Sequence, residues 1–79
     1  MKVAYQPGLE ALAGSLTGMG FDMMPVGSQQ EMDAVIFEGG MKNLRFKPSG
    51  KGALMLNVRG MSPAQAAQAL RRRSQTQLF

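Results

Sequence analysis

Apolar and polar positions follow two different periods along this 79-residue chain. Val3-Ala4-Tyr5 is a short apolar run that stops at Pro7-Gly8, a turn signal, and it predicts a strand over residues 2–5. Leu9, Leu12, Ala13, Leu16 and Met19 then recur at the spacing of one helix face. Glu10 falls in the first turn of that helix, where a carboxylate suits the positive end of the dipole. Gly18 and Gly20 bracket its end. Gly14 lies inside it, at a cost of about 1 kcal/mol relative to Ala. Close packing of Gly14 against a sheet is the expected reason.

Phe21 to Val26 reads as a second strand, with Pro25 marking an edge or a last residue. Gly27 to Met32 is short and polar and suggests one helical turn. Ala34-Val35-Ile36-Phe37 is uninterrupted and ends at Gly39-Gly40, the pattern of a strand buried on both faces. Leu44-Arg45-Phe46-Lys47 alternates like a half-exposed strand, Pro48 to Gly52 is a turn, and Ala53 to Val58 is a further strand. Residues 44–58 therefore form either an antiparallel hairpin or an excursion before a parallel strand.

Ser62-Pro63-Ala64-Gln65 is the sharpest local signal. Ser62 suits an N-cap, Pro63 the first helical position, and Gln65 completes a capping box. Met61 is placed to staple onto Ala66. The helix is expected to end in Arg71-Arg72-Arg73, cations at the negative end of its dipole. The predicted architecture is α/β: a small, mainly parallel sheet of about four strands with two helices. Residues 1–73 form one small domain and 74–79 a flexible C-terminal tail.

Composition narrows the chemistry. There is no Cys and no His, which removes disulfides, Cys/His zinc sites and Ser-His or Cys-His catalytic arrangements. The eight methionines are scattered and read as core filler rather than a metal site. No cofactor is implied. No signal peptide and no membrane span is expected, so the protein reads as soluble and cytoplasmic. The net charge is +4, and all five acids lie in the first half.

The layout resembles a known family. Pro7-Gly8-Leu9 leads into an amphipathic helix, and Gly20-Phe21-Asp22 opens a strand. Met32-Asp33-Ala34-Val35-Ile36 opens another, followed by Gly39-Gly40-Met41 with Asn43. Gly60-Met61-Ser62-Pro63 opens the last helix. In order, spacing and size this resembles the YkuS-like family of small bacterial proteins over roughly residues 2–70. The resemblance implies a fold and a bacterial origin.

Open parallel sheets bind ligands outside the carboxyl ends of their strands. The residues expected there are Gln6, Gly8, Gly39, Gly40, Lys42, Asn43, Arg59 and Ser62, with helix-start amides available to an anion. Glu38 is the one carboxylate expected at that edge, which does not supply an acid–base pair. The primary reading is a non-catalytic binding or regulatory module, a monomer or weak homodimer, with a protein as its partner. A second reading is nucleic-acid binding. Arg45, Phe46, Lys47, Lys51, Arg71, Arg72 and Arg73 would then carry the phosphates and stack a base. Cations on the outer face of a half-buried strand account for the same alternation. A third reading is peptide docking. Gln75, Leu78 and Phe79 resemble the Gln-x-x-Leu-Phe peptides with which bacterial proteins dock on the replication sliding clamp.

Overall fold

The computed structural model describes residues 1–39, 45–50 and 52–76. The elements are β1 (Lys2–Tyr5), α1 (Glu10–Gly18), β2 (Asp22–Pro25), β3 (Glu31–Met32), β4 (Ala34–Phe37), β5 (Lys47–Pro48), β6 (Leu54–Asn57) and α2 (Pro63–Thr76). Four strands make one sheet in the order β2-β1-β4-β6, every pair parallel. β3 and β5 make a separate two-residue parallel pair. This is the small, mainly parallel α/β fold that the periodicity predicts.

Strand alternation sorts the side chains onto two faces. Val3, Ala34 and Ile36 pack on one face with Leu16 and Phe21, and with Ala66, Ala67 and Leu70 of α2. Leu54 and Leu56 join them, half-buried. Both helices cover this face. Ala4 and Val35 point the other way, into a smaller cluster with Met32; Met24, Val26, Phe46 and Met55 pack around it. All four residues of β4 are buried, as expected of a run apolar at every position.

Four expectations are corrected. Gly27 to Met32 forms no helical turn, because Glu31–Met32 pairs with Lys47–Pro48 as a strand and Met32 is wholly buried on the second face. The hairpin over 44–58 is also absent among the described residues. β5 pairs with β3, and β6 pairs in parallel with β4. A parallel neighbour for β4 requires a crossover, and residues 45–53 belong to it; Phe46 turns to the second core while Arg45 and Lys47 stay exposed. Gly14 does not pack closely against the sheet: it is exposed, and a Cβ built on it meets no heavy atom within 4 Å. Finally, α2 runs past Arg73 to Thr76, because nothing in Ser74-Gln75-Thr76 stops a helix.

The connections place the functional edge. From β1 the chain crosses through α1 on the helical face to β2. From β4 it leaves the other way, through β5 on the opposite face, to β6. The carboxyl ends of β1 and β4 are thus a topological switch point, where the two outgoing connections part and leave a crevice.

Candidate functional site

The crevice is built from the turns that follow β1, β4 and β6. After β1, Gln6 donates its N–H to the Ile36 carbonyl at 3.1 Å. Its side-chain oxygen accepts the Glu38 N–H at 2.9 Å, tying the two strand ends together. Gly8 follows at φ +102°, a left-handed conformation that glycine adopts without a Cβ penalty. Its N–H donates to both carboxylate oxygens of Glu10, at 3.0 and 3.2 Å. The Leu9 N–H donates to the Gln6 carbonyl at 3.1 Å.

The turn after β6 is closed in the same way. Asn57 Oδ1 accepts the Arg59 N–H at 3.1 Å, and the Val58 carbonyl accepts the Met61 N–H at 2.9 Å. The predicted capping box then starts α2. The Ser62 N–H donates to Gln65 Oε1 at 2.8 Å, and the Gln65 N–H donates to Ser62 Oγ at 3.2 Å. Met61, half-buried, packs against the core that contains Ala66, which is the hydrophobic staple.

Two adjoining depressions lie over these turns. One, of about 360 Å³, sits between the starts of the two helices. Leu9, Leu12, Met61 and Pro63 form its apolar walls, and Glu38 and Ser15 add polar groups. The other, of about 380 Å³, lies over Gln6 and Pro7 and shares Gly8, Leu9 and Glu38 with the first. Glu38 is exposed, so its carboxylate is a charged contact available where the two meet.

Of the residues expected at this edge, Gln6, Gly8, Gly39, Arg59 and Ser62 lie in the turns there, but only Gln6 and Gly8 line the depressions. Gly40, Lys42 and Asn43 lie outside the described residues. Two amides beside the helix starts are engaged within the chain, while α1 itself has no side-chain cap. The Glu10 carboxylate takes the Gly8 amide ahead of α1, and Gln65 takes the Ser62 amide ahead of α2. Leu9, Leu12, Met61 and Pro63 were expected only as helix-face and capping residues. Their second role as cleft walls has no separate sequence signal.

Among the described residues the predicted cations do not converge. Phe46, half-buried on the second face, is flanked by exposed Arg45 and Lys47. The Arg71 guanidinium lies 5.6 Å from the centroid of the Phe21 ring, on the helical face. The two basic groups are therefore on opposite sides of the sheet. Arg72 is exposed on α2, and Arg73 and Gln75 fall within that helix. Lys51, Leu78 and Phe79 lie outside the described residues.

Among the described residues no group of three or more Asp or Glu is placed to hold a metal ion. None of the described helices is long and apolar enough to cross a membrane. No curated protein and no solved structure matches the chain. The profile of one protein family matches residues 1–73, consistent with the YkuS-like layout. The chain belongs to that family, the uncharacterised protein family UPF0180.

Proposed function

We propose that this protein is a non-catalytic binding module of the cytoplasm, and that its ligand sits in the cleft at the switch point between β1 and β4. The observation that carries the reading is the cleft of about 360 Å³ between the two helix starts. Its walls are Leu9, Leu12, Met61 and Pro63, and the turns that shape it are fixed by the chain's own hydrogen bonds. A preformed, mostly apolar concavity with a few polar groups is what small-ligand and short-peptide recognition needs.

The ligand best suited to it is an apolar group that carries no negative charge. Glu10 already occupies the Gly8 amide, and Glu38 stands exposed at the rim. A phosphate would meet the carboxylates of Glu10 and Glu38 beside the cleft, and like charges at close range cost affinity. Ligand-detected NMR with a mixture of metabolites and short peptides tests this. Hits should be neutral or cationic, should shift the amides of Gly8, Leu12, Gly60 and Met61, and should be lost in Leu12→Lys. Hits that are uniformly anionic, hits that map elsewhere, or chemical turnover of any component would refute the reading.

A further inference from the structure

The two outer edges of the sheet are not alike. In β2, Asp22 and Val26 donate to the Met1 and Tyr5 carbonyls, both at 3.0 Å. The residues between them in phase, Met23 and Pro25, therefore turn their backbone outward. Pro25 has no N–H to offer, and Asp22 places a charge at the strand's start. These are two of the devices that keep an edge strand from pairing.

In β6, Leu54 and Val58 donate to the Asp33 and Phe37 carbonyls at 3.0 and 2.8 Å. The same alternation turns the N–H and C=O groups of Met55 and Asn57 to the outer side. This strand reads Leu-Met-Leu-Asn, with no charge and no proline. Its three apolar side chains are only half-buried. Among the described residues no strand pairs with its outer edge. The described parts of the flanking chain lead away from it. Arg45 accepts the Gly27 N–H at 2.6 Å, past the far edge of the sheet, and α2 leads toward Phe21.

We propose that the outer edge of β6 is a homodimer interface, in which β6 pairs antiparallel with β6 of a second copy. The occupant follows from the strand's symmetry. Ala53-Leu54-Met55-Leu56-Asn57 is nearly palindromic about Met55. An antiparallel two-fold at Met55 sets Met55 against itself as a hydrogen-bonded pair, through its outward N–H and C=O. It sets Leu54 against Leu56 of the second copy on the helical face, twice over. Every directly opposed pair is then apolar except Ala53 with Asn57. Such pairs are the stabilising unit of a sheet, and the contact is isologous and closes after two copies. The two four-stranded sheets become one, with all helices on one face. The antiparallel arrangement leaves the two ligand clefts at opposite edges. A contact of four or five residues per copy is small, so exchange with monomer is rapid.

Sedimentation equilibrium and amide hydrogen exchange on the full chain test this. The expected result is a reversible equilibrium between 8.5 kDa and twice that mass. Exchange at the Met55 amide should slow as protein concentration rises, while the Leu56 amide, already facing β4, does not change. Met55→Lys, confirmed folded by circular dichroism, opposes two ammonium groups at the axis and should weaken association roughly tenfold or more. A monomer at every concentration would overturn the proposal. So would a dimer whose Met55 amide exchanges independently of concentration, or one that a folded Met55→Lys variant leaves intact.

Discussion

Replacing Gly14 by Ala should make this protein more stable. Gly14 lies midway along α1, a helix of nine residues, and is exposed. Its φ is not in the left-handed region, so an L-residue fits the backbone. A Cβ built there meets no heavy atom within 4 Å, so no neighbour has to move. The substitution therefore adds no clash and removes the conformational freedom that glycine keeps in the unfolded chain. The gain is about 0.8–1.0 kcal/mol, the interior helix difference between the two residues. In a domain of this size that raises the melting temperature by about 4–8 °C. Thermal unfolding by far-ultraviolet circular dichroism reads the shift. Urea unfolding should show a higher midpoint at unchanged slope, since the surface exposed on unfolding hardly changes. An unchanged or lowered midpoint would refute the reasoning. It would mean that the outer surface of α1 is covered in solution by something that a methyl group disturbs.

Two further outcomes follow from the packing and the cap. Leu16 is wholly buried between α1 and the sheet. Leu16→Ala should cost about 2–5 kcal/mol, a large share of the ~4–12 kcal/mol expected for 79 residues; denaturant titration would show the midpoint collapse. Ser62→Ala frees the Gln65 amide but leaves the reciprocal bond from Ser62 N–H to Gln65 intact. It should cost about 1 kcal/mol, while Ser62→Asp, which also caps, should restore stability; equal melting of all three proteins would show that the box contributes nothing.

Most of the fold was legible because burial imposes a period. The four main strands and both helices each have an apolar pattern that fits one secondary structure, and the 62–65 box fixes the start of α2 to the residue. The stretch from 27 to 53 was harder, for a physical reason. β3 and β5 are two residues each, too short for any period to register. What defines them is the second face of the sheet, where Met32 and Phe46 fill space against Ala4 and Val35. Alternation around Phe46 shows that one side of the segment is buried. It carries no information about which strand lies beside it, so hairpin and crossover read alike until β6 takes its place next to β4.

The site was legible in position but not in character, because residue type states what a group could do and not what it already does. A turn at Pro7-Gly8 ahead of a helix is where open α/β sheets receive phosphate, and from sequence the helix-start amides look free. Glu10 changes that from two positions downstream of Gly8, with a carboxylate that reaches back to the amide an anion would use. Gln6 does the same for the Glu38 amide, and Gln65 for that of Ser62. Each of these side chains has another common explanation in sequence: a charge complementing the helix dipole, a polar turn residue, a capping partner. Their joint placement takes the Gly8, Glu38 and Ser62 amides, and leaves apolar Leu9, Leu12 and Met61 and the Glu38 carboxylate to face a ligand. Discrimination by such an edge rests on the carboxylates. Glu10→Gln would therefore raise phosphate affinity without altering the apolar walls, whereas Leu12→Lys would abolish apolar binding and leave the Gly8–Glu10 bond in place.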